Sequence, residues 1–230
     1  TYTSTNEGTT PSFTDVSSDD YSLQSGSVAI DAGSSSYAPA DDINDLTRPQ
    51  GQADDLGAYE HRNTWDGSTD TDWSTTANWS ENIVPVAGRS PIIADVTNQP
   101  VISSDDGSSG NVTLEDITIN SSAELTINKE ASLTLTDDFT NNSGSVYLES
   151  DSNEFASIIV QGDASGNITY KRYVNAVGTN EWDLIGSPVD GLDINTFVST
   201  NTSGTATLAT NGVQYAVGVY NNNNNDWSNY

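Results

Sequence analysis

His61 is the only histidine in this 230-residue chain, and there is no cysteine. It is therefore the one side chain whose ordinary pKa lies near neutrality. Acid–base or nucleophilic catalysis through His61 would need a positioned nucleophile and an orienting acid beside it. Ser and Asp are so abundant that finding either nearby carries no information, and His61 next to Arg62 reads as a boundary residue capping a structural unit. The other possible bases, Lys129, Lys171, Arg48, Arg62, Arg89 and Arg172, are scattered. They form no clustered centre, so no catalytic residue is assigned. Without Cys there are no disulfides, thiolate nucleophiles or cysteine metal ligands.

Oxygen ligands are plentiful. Asp41, Asp42, Asn44 and Asp45 lie on one side of the turn Arg48-Pro49-Gln50-Gly51, and Asp54 and Asp55 on the other. Carboxylates and amide carbonyls are the hard ligands that calcium takes, and converging anionic loops need a cation. These six residues are the expected calcium ligands and calcium the one expected cofactor, although their spacing is not that of an EF-hand. The alternative is a solvated acidic face on which Arg48 pairs with one Asp. Asp105-Asp106 and Asp137-Asp138 read as turns. Trp65, Trp73, Trp79, Trp182 and Trp227 suit either a sugar-stacking platform or, more commonly in β modules, a buried core.

Composition sets the class of element that positions these groups. Thirty-three acidic residues against six basic give a net charge of −27, which excludes nucleic acid and anionic membrane surfaces as partners. No apolar run approaches the roughly 18 residues of a membrane span. Ser, Thr and Asn compete with helical hydrogen bonding, while the apolar residues are often β-branched or aromatic, so the chain reads as all-β. Apolar triplets begin at Ile117, Leu125, Leu133, Val146, Ile158 and Ile168, at intervals of 8, 8, 13, 12 and 10 residues. Each reads in–out–in, with turn formers between. Such spacing fits a β-solenoid or an antiparallel sandwich, and its drift favours a solenoid with variable loops.

Two stretches carry family resemblances. Ala29-Ile30-Asp31-Ala32-Gly33, Arg48-Pro49-Gln50-Gly51 and Asp55-Leu56-Gly57-Ala58-Tyr59-Glu60 resemble, over residues 20–62, the closing turns of right-handed parallel β-helix proteins. The resemblance implies that 1–62 is the end of such a helix. The run Trp65-Asp66-Gly67, Asp72-Trp73, Asn78-Trp79, Val84-Pro85 resembles large proteins exported by type IX secretion in Gram-negative bacteria. So does the later order Ile168-Thr169-Tyr170-Lys171-Arg172-Tyr173, Glu181-Trp182-Asp183-Leu184-Ile185-Gly186-Ser187-Pro188-Val189, Tyr215-Ala216-Val217-Gly218-Val219-Tyr220. It implies a Trp-led solenoid-like or sandwich module over 63–174, then an incomplete β-sandwich over 175–230. A chain opening on Thr1 is expected to be a piece of something longer.

The expected function is a non-catalytic structural or adhesive segment of a secreted or cell-surface protein, outside a Gram-negative cell. Its expected partners are other modules of the same polypeptide, polysaccharide or cell-surface components, and the secretion machinery during export. The alternative is the C-terminal accessory part of a polysaccharide-lyase-like enzyme whose active site lies upstream.

Overall fold

A strand with one apolar row is stable only when other rows stack against it, and very short strands need a neighbour on both edges. The structure, a computed structural model, describes residues 10–104, 110–173, 193–200, 210–211, 214–215 and 217–229. The chain divides into two compact units, Thr1–Ala176 and Val177–Tyr230.

The first unit begins with an antiparallel hairpin of β1 (Phe13–Asp15) and β2 (Asp20–Leu23). Residues 24–62, which carry the motifs resembling β-helix ends, are hydrogen-bonded turns with one isolated antiparallel bridge, Asp41 to Thr47. Coiling starts at β3 (Thr64–Trp65). One turn contains β4 (Ile92–Ile93), β5 (Val101–Ile102) and β6 (Asn111–Leu114). The next contains β7 (Ile117–Ile119), β8 (Glu124–Ile127) and β9 (Ser132–Leu135). The third contains β10 (Phe139–Asn141), β11 (Ser145–Leu148) and β12 (Ser157–Val160), and β13 (Ala164–Ser165) and β14 (Thr169–Tyr170) open a fourth.

Corresponding strands pair parallel, giving three sheets ordered β3-β4-β7-β10-β13, β5-β8-β11-β14 and β6-β9-β12. This is a parallel β-solenoid of about three turns, and the parallel pairing excludes the antiparallel sandwich for this segment.

Register converts the in–out–in triplets into columns. Ile93 and Ile119 stack in one sheet, Ile102 and Ile127 in the second, and Leu114 and Leu135 in the third, each at most 1% exposed. The intervening residues form outward columns, Thr118–Thr140–Ser165 on one face and Thr113–Thr134–Ile159 on another. The column above Ile119 ends in a buried amide, Asn141. Its Nδ2 donates to the carbonyls of Asn167 (2.6 Å) and Gly144 (3.2 Å), and its Oδ1 accepts from Gly144 N–H (2.7 Å). Gly144 makes this corner possible, since a Cβ there would stand 2.7 Å from the carbonyl oxygens of both Asn120 and Ala123.

At the start of the coil the core is aromatic. Trp79 meets Trp65 and Trp73 edge to face, with centroids 5.1 and 4.7 Å away. Trp65 Nε1 donates to Asn98 O (2.8 Å) and Trp79 Nε1 to Trp73 O (3.0 Å), which meets the polar demand of two buried indoles.

The second unit contains α1 (Ile194–Thr200), β15 (Thr210–Asn211) paired antiparallel with β16 (Gln214–Tyr215), and β17 (Gly218–Asn221) paired antiparallel with β18 (Asp226–Asn229). Asp193 caps α1, its Oδ1 accepting from the N–H groups of Asn195 (2.9 Å) and Thr196 (3.1 Å). Residues 222–225, all Asn, form the turn between β17 and β18, with Asn225 at φ 52°. The motif at 181–189, including Trp182, and the Asp105-Asp106 pair lie outside the described residues.

Two neighbouring positions on β8 test the column arrangement. Leu125 is fully buried while Thr126 faces outward in the same strand. Leu125→Ala is expected to cost about 2–5 kcal/mol in urea unfolding, and Thr126→Ala no more than about 0.5 kcal/mol.

Candidate functional site

Residues 31–62 fold around carboxylates in place of apolar side chains. Asp42 Oδ1 accepts from the N–H groups of Asn44 (2.6 Å) and Leu46 (3.0 Å), and its Oδ2 from Glu60 N–H (3.0 Å). Asp55 accepts from Asp31 N–H (2.7 Å) on Oδ1 and from His61 N–H (2.6 Å) on Oδ2. Glu60 Oε1 accepts from Asp55 N–H (2.8 Å) and the Arg48 guanidinium (2.5 Å), and Oε2 from Gln50 N–H (3.0 Å). The Arg48 and Glu60 side chains are 3% and 0% exposed, so this is an ion pair withdrawn from water. Burial pushes Glu60 and Asp55 above the usual carboxylate range, while the backbone N–H bonds each accepts pull the other way.

Side chains tie this carboxylate-centred segment to the first turns of the solenoid. Gln50 Oε1 accepts from Ser90 N–H (2.7 Å), and Thr47 Oγ1 donates to Glu115 (2.7 Å). Arg89 donates to the carbonyls of Pro49 and Gly51, and Arg62 to those of Ser90 and Pro91 and to Thr118 Oγ1. Burial lowers the Arg62 pKa, and the nearby Asp116 carboxylate opposes that shift.

The six expected calcium ligands separate into two groups. Asp42, Asp54 and Asp55 are buried, whereas Asp41, Asn44 and Asp45 are exposed. Among the described residues no group of three or more His, Asp or Glu side chains is placed to hold one metal ion. Arg48 pairs with Glu60 and not with an Asp, because the hairpin-like path from 48 to 60 delivers Glu60 into the same buried pocket. His61 Nδ1 lies 2.8 Å from Glu81 Oε1, with the two side chains 12% and 5% exposed. Neither Asp31 nor Glu81 was singled out by sequence. Asp31 stands inside the Ala29–Gly33 motif, which is a signal, but Glu81 is an isolated acid with none.

The remaining clusters are structural. Trp65, Trp73 and Trp79 are at most 4% exposed and so offer no sugar-stacking face. Asp137-Asp138 is part of a corner column: Asp138 N–H donates to Asp116 Oδ1 (2.8 Å) and Asp163 N–H to Asp138 Oδ1 (2.7 Å). The charge of Asp138, then that of Asp116, pushes the exposed Asp137 above its ordinary value. At the corner between β8 and β9 the Lys129 ammonium reaches Asp151 (2.6 Å) and Glu130 (3.1 Å), and its hydrogen bond draws Asp151 down to about 2. A cavity of about 320 Å³ between residues 84–87 and β6 is lined, among the described residues, by no titratable side chain.

The buried pair gives a measurable asymmetry. Glu60→Gln or Arg48→Met alone strands a buried charge or its bonding partners and is expected to cost about 3–5 kcal/mol in urea unfolding. Arg48→Met combined with Glu60→Gln is expected to cost clearly less than the two single losses added together. Because the folded state raises Asp55 and Glu60, it binds protons more tightly than the unfolded chain just above the usual carboxylate range. Their contribution is largest when they are protonated and declines as pH rises through that window, so stability should fall more steeply there in the native chain than in Asp55→Asn.

Comparison with curated proteins gives no match, and neither does comparison with solved structures. One family does match, over residues 64–229, a span that opens on the first residue of β3 and so takes in the whole coil. The chain belongs to this family, described as Domain of unknown function (DUF8693).

Proposed function

We propose that the chain is a non-catalytic structural or adhesive segment of a large secreted or cell-surface bacterial protein, where it spaces or presents other modules. The observation that carries this reading is that, in the described part of the first unit, the basic side chains able to do chemistry are engaged in folding contacts. His61 is held by Glu81, Arg48 by Glu60, Lys129 by Asp151 and Lys171 by Glu149. Catalysis needs groups held free in a defined constellation around a reacting atom. A stack of parallel rungs, by contrast, sets a length, each rung adding about 4.8 Å along the axis. The neighbours to be spaced are other modules of the same polypeptide, and polysaccharide or cell-surface components are the external partners. Export by the type IX route to the outer surface of a Gram-negative cell accompanies this reading, on the motifs at 65–85 and 168–220.

The test is incubation of the chain with a panel of neutral and acidic polysaccharides, following reducing ends and the absorbance of unsaturated uronates. No turnover is expected. Turnover that disappears on His61→Ala or Lys171→Ala would overturn the proposal in favour of an enzyme.

A further inference from the structure

Two carboxylates in the described part of the first unit keep a buried oxygen with no hydrogen-bond partner, Asp54 through Oδ2 and Glu81 through Oε2, and the second lies beside another acid, Asp31. Glu81 has a side chain 5% exposed, and only its Oε1 is occupied, by His61. Its Oε2 is buried with no hydrogen-bond partner. That oxygen and Asp31 Oδ1 crowd the same side of Gly51, where a Cβ would run into both. Asp31 Oδ1 already accepts from Ala53 N–H (2.8 Å), so its direction is fixed. Glu81 is fixed as well, because its N–H donates to Asn63 Oδ1 (3.2 Å) and Asn63 Nδ2 donates to Ile83 O (2.7 Å). Asp55 stands close enough for the charges of both Glu81 and Asp31 to raise its pKa.

Among the described residues, His61 is the only basic group within ion-pair distance of this cluster. The nearby guanidinium groups are committed, Arg48 to Glu60, Arg62 to Ser90 and Pro91, and Arg89 to the carbonyls of Pro49 and Gly51. Leaving a carboxylate oxygen buried and unpaired costs more than leaving a neutral group so, because its hydration is lost without compensation.

We infer that Asp31 and Glu81 hold a hard divalent cation between Oδ1 and Oε2, with water completing its shell. Two carboxylates with several waters is an ordinary arrangement for such ions. It also differs from the ligand set expected from sequence, sharing none of Asp41, Asp42, Asn44, Asp45, Asp54 and Asp55. The ion would clamp the 31–55 segment onto the loop that follows Trp79, just before the first full turn of the solenoid.

The experiment is thermal unfolding and calorimetric titration of the full chain, stripped with a chelator, against Ca²⁺ and Mg²⁺ separately at constant ionic strength. Saturable one-site binding of at least one ion, with Tm raised by about 2 °C or more, is expected. Glu81→Gln and Asp31→Asn should lose that binding at least tenfold, while Asp137→Asn on the exposed corner column keeps it. Ion-free Glu81→Gln should melt no lower than the ion-free native chain, since the change removes a buried charge whose Oε2 has no partner while the amide can keep the contact with His61; circular dichroism establishes that it is folded. A response that follows ionic strength alone, or saturable binding that survives Glu81→Gln, would overturn the inference.

Discussion

Every strand of the coil depends on the strand one turn away, because strands of two to four residues hold too little surface to persist alone. Parallel stacking meets that need by bringing the chain back to the same three faces, turn after turn. Once that return is fixed, the rest follows. Inward positions must be apolar and close-packed, outward ones are free to be Thr or Ser, and each corner must reverse direction with its backbone groups bonded. Asn141 and Gly144 show how tightly one corner is specified, since the amide replaces three backbone bonds that the turn cannot make for itself.

Residues 31–62 satisfy the same requirement by other means. Here the interior is polar, and Asp42, Asp55 and Glu60 act as hubs for backbone N–H groups that no sheet supplies. Part of the acidity that gives the chain its charge of −27 is therefore internal framework and not a solvated coat. A buried pair such as Arg48 with Glu60 contributes little net stability over an apolar substitute, but it is costly to break on one side only. It fixes which loop lies against which.

The triplets beginning at Ile117, Leu125, Leu133, Val146, Ile158 and Ile168 were legible, and each lies on or beside a strand. Their uneven intervals have a simple origin. Phe139-Thr140-Asn141 is a rung strand whose second inward residue, Asn141, is polar, and it fills the long gap between Leu133 and Val146. Ala164–Ser165 is too short and small to register, yet it occupies the gap between Ile158 and Ile168. The true repeat is the whole turn, from Ile92 to Thr118, Thr140 and Ser165, and no single-strand spacing reveals it. The acidic flanks of Arg48 were legible as a cluster, but not their division into buried hubs and exposed turns, because that depends on contacts with Glu60 and with the solenoid. The approach of Asp31 to Glu81 joins residues far apart in sequence, which adjacency cannot show.

The corner between β11 and β12 has a further consequence. Residues 149–156 leave the rung, and the excursion closes on itself through Asp151 N–H to Glu154 O (3.0 Å) and the antiparallel bridge of Ser150 with Phe155. The equivalent corner one turn earlier, 128–131, is much shorter, yet β9 and β12 stack in unbroken register. Insertion at this corner is thus uncoupled from the ladder. Evolution or a protein engineer has there a port where length and chemistry can change while every column of the core stays in place.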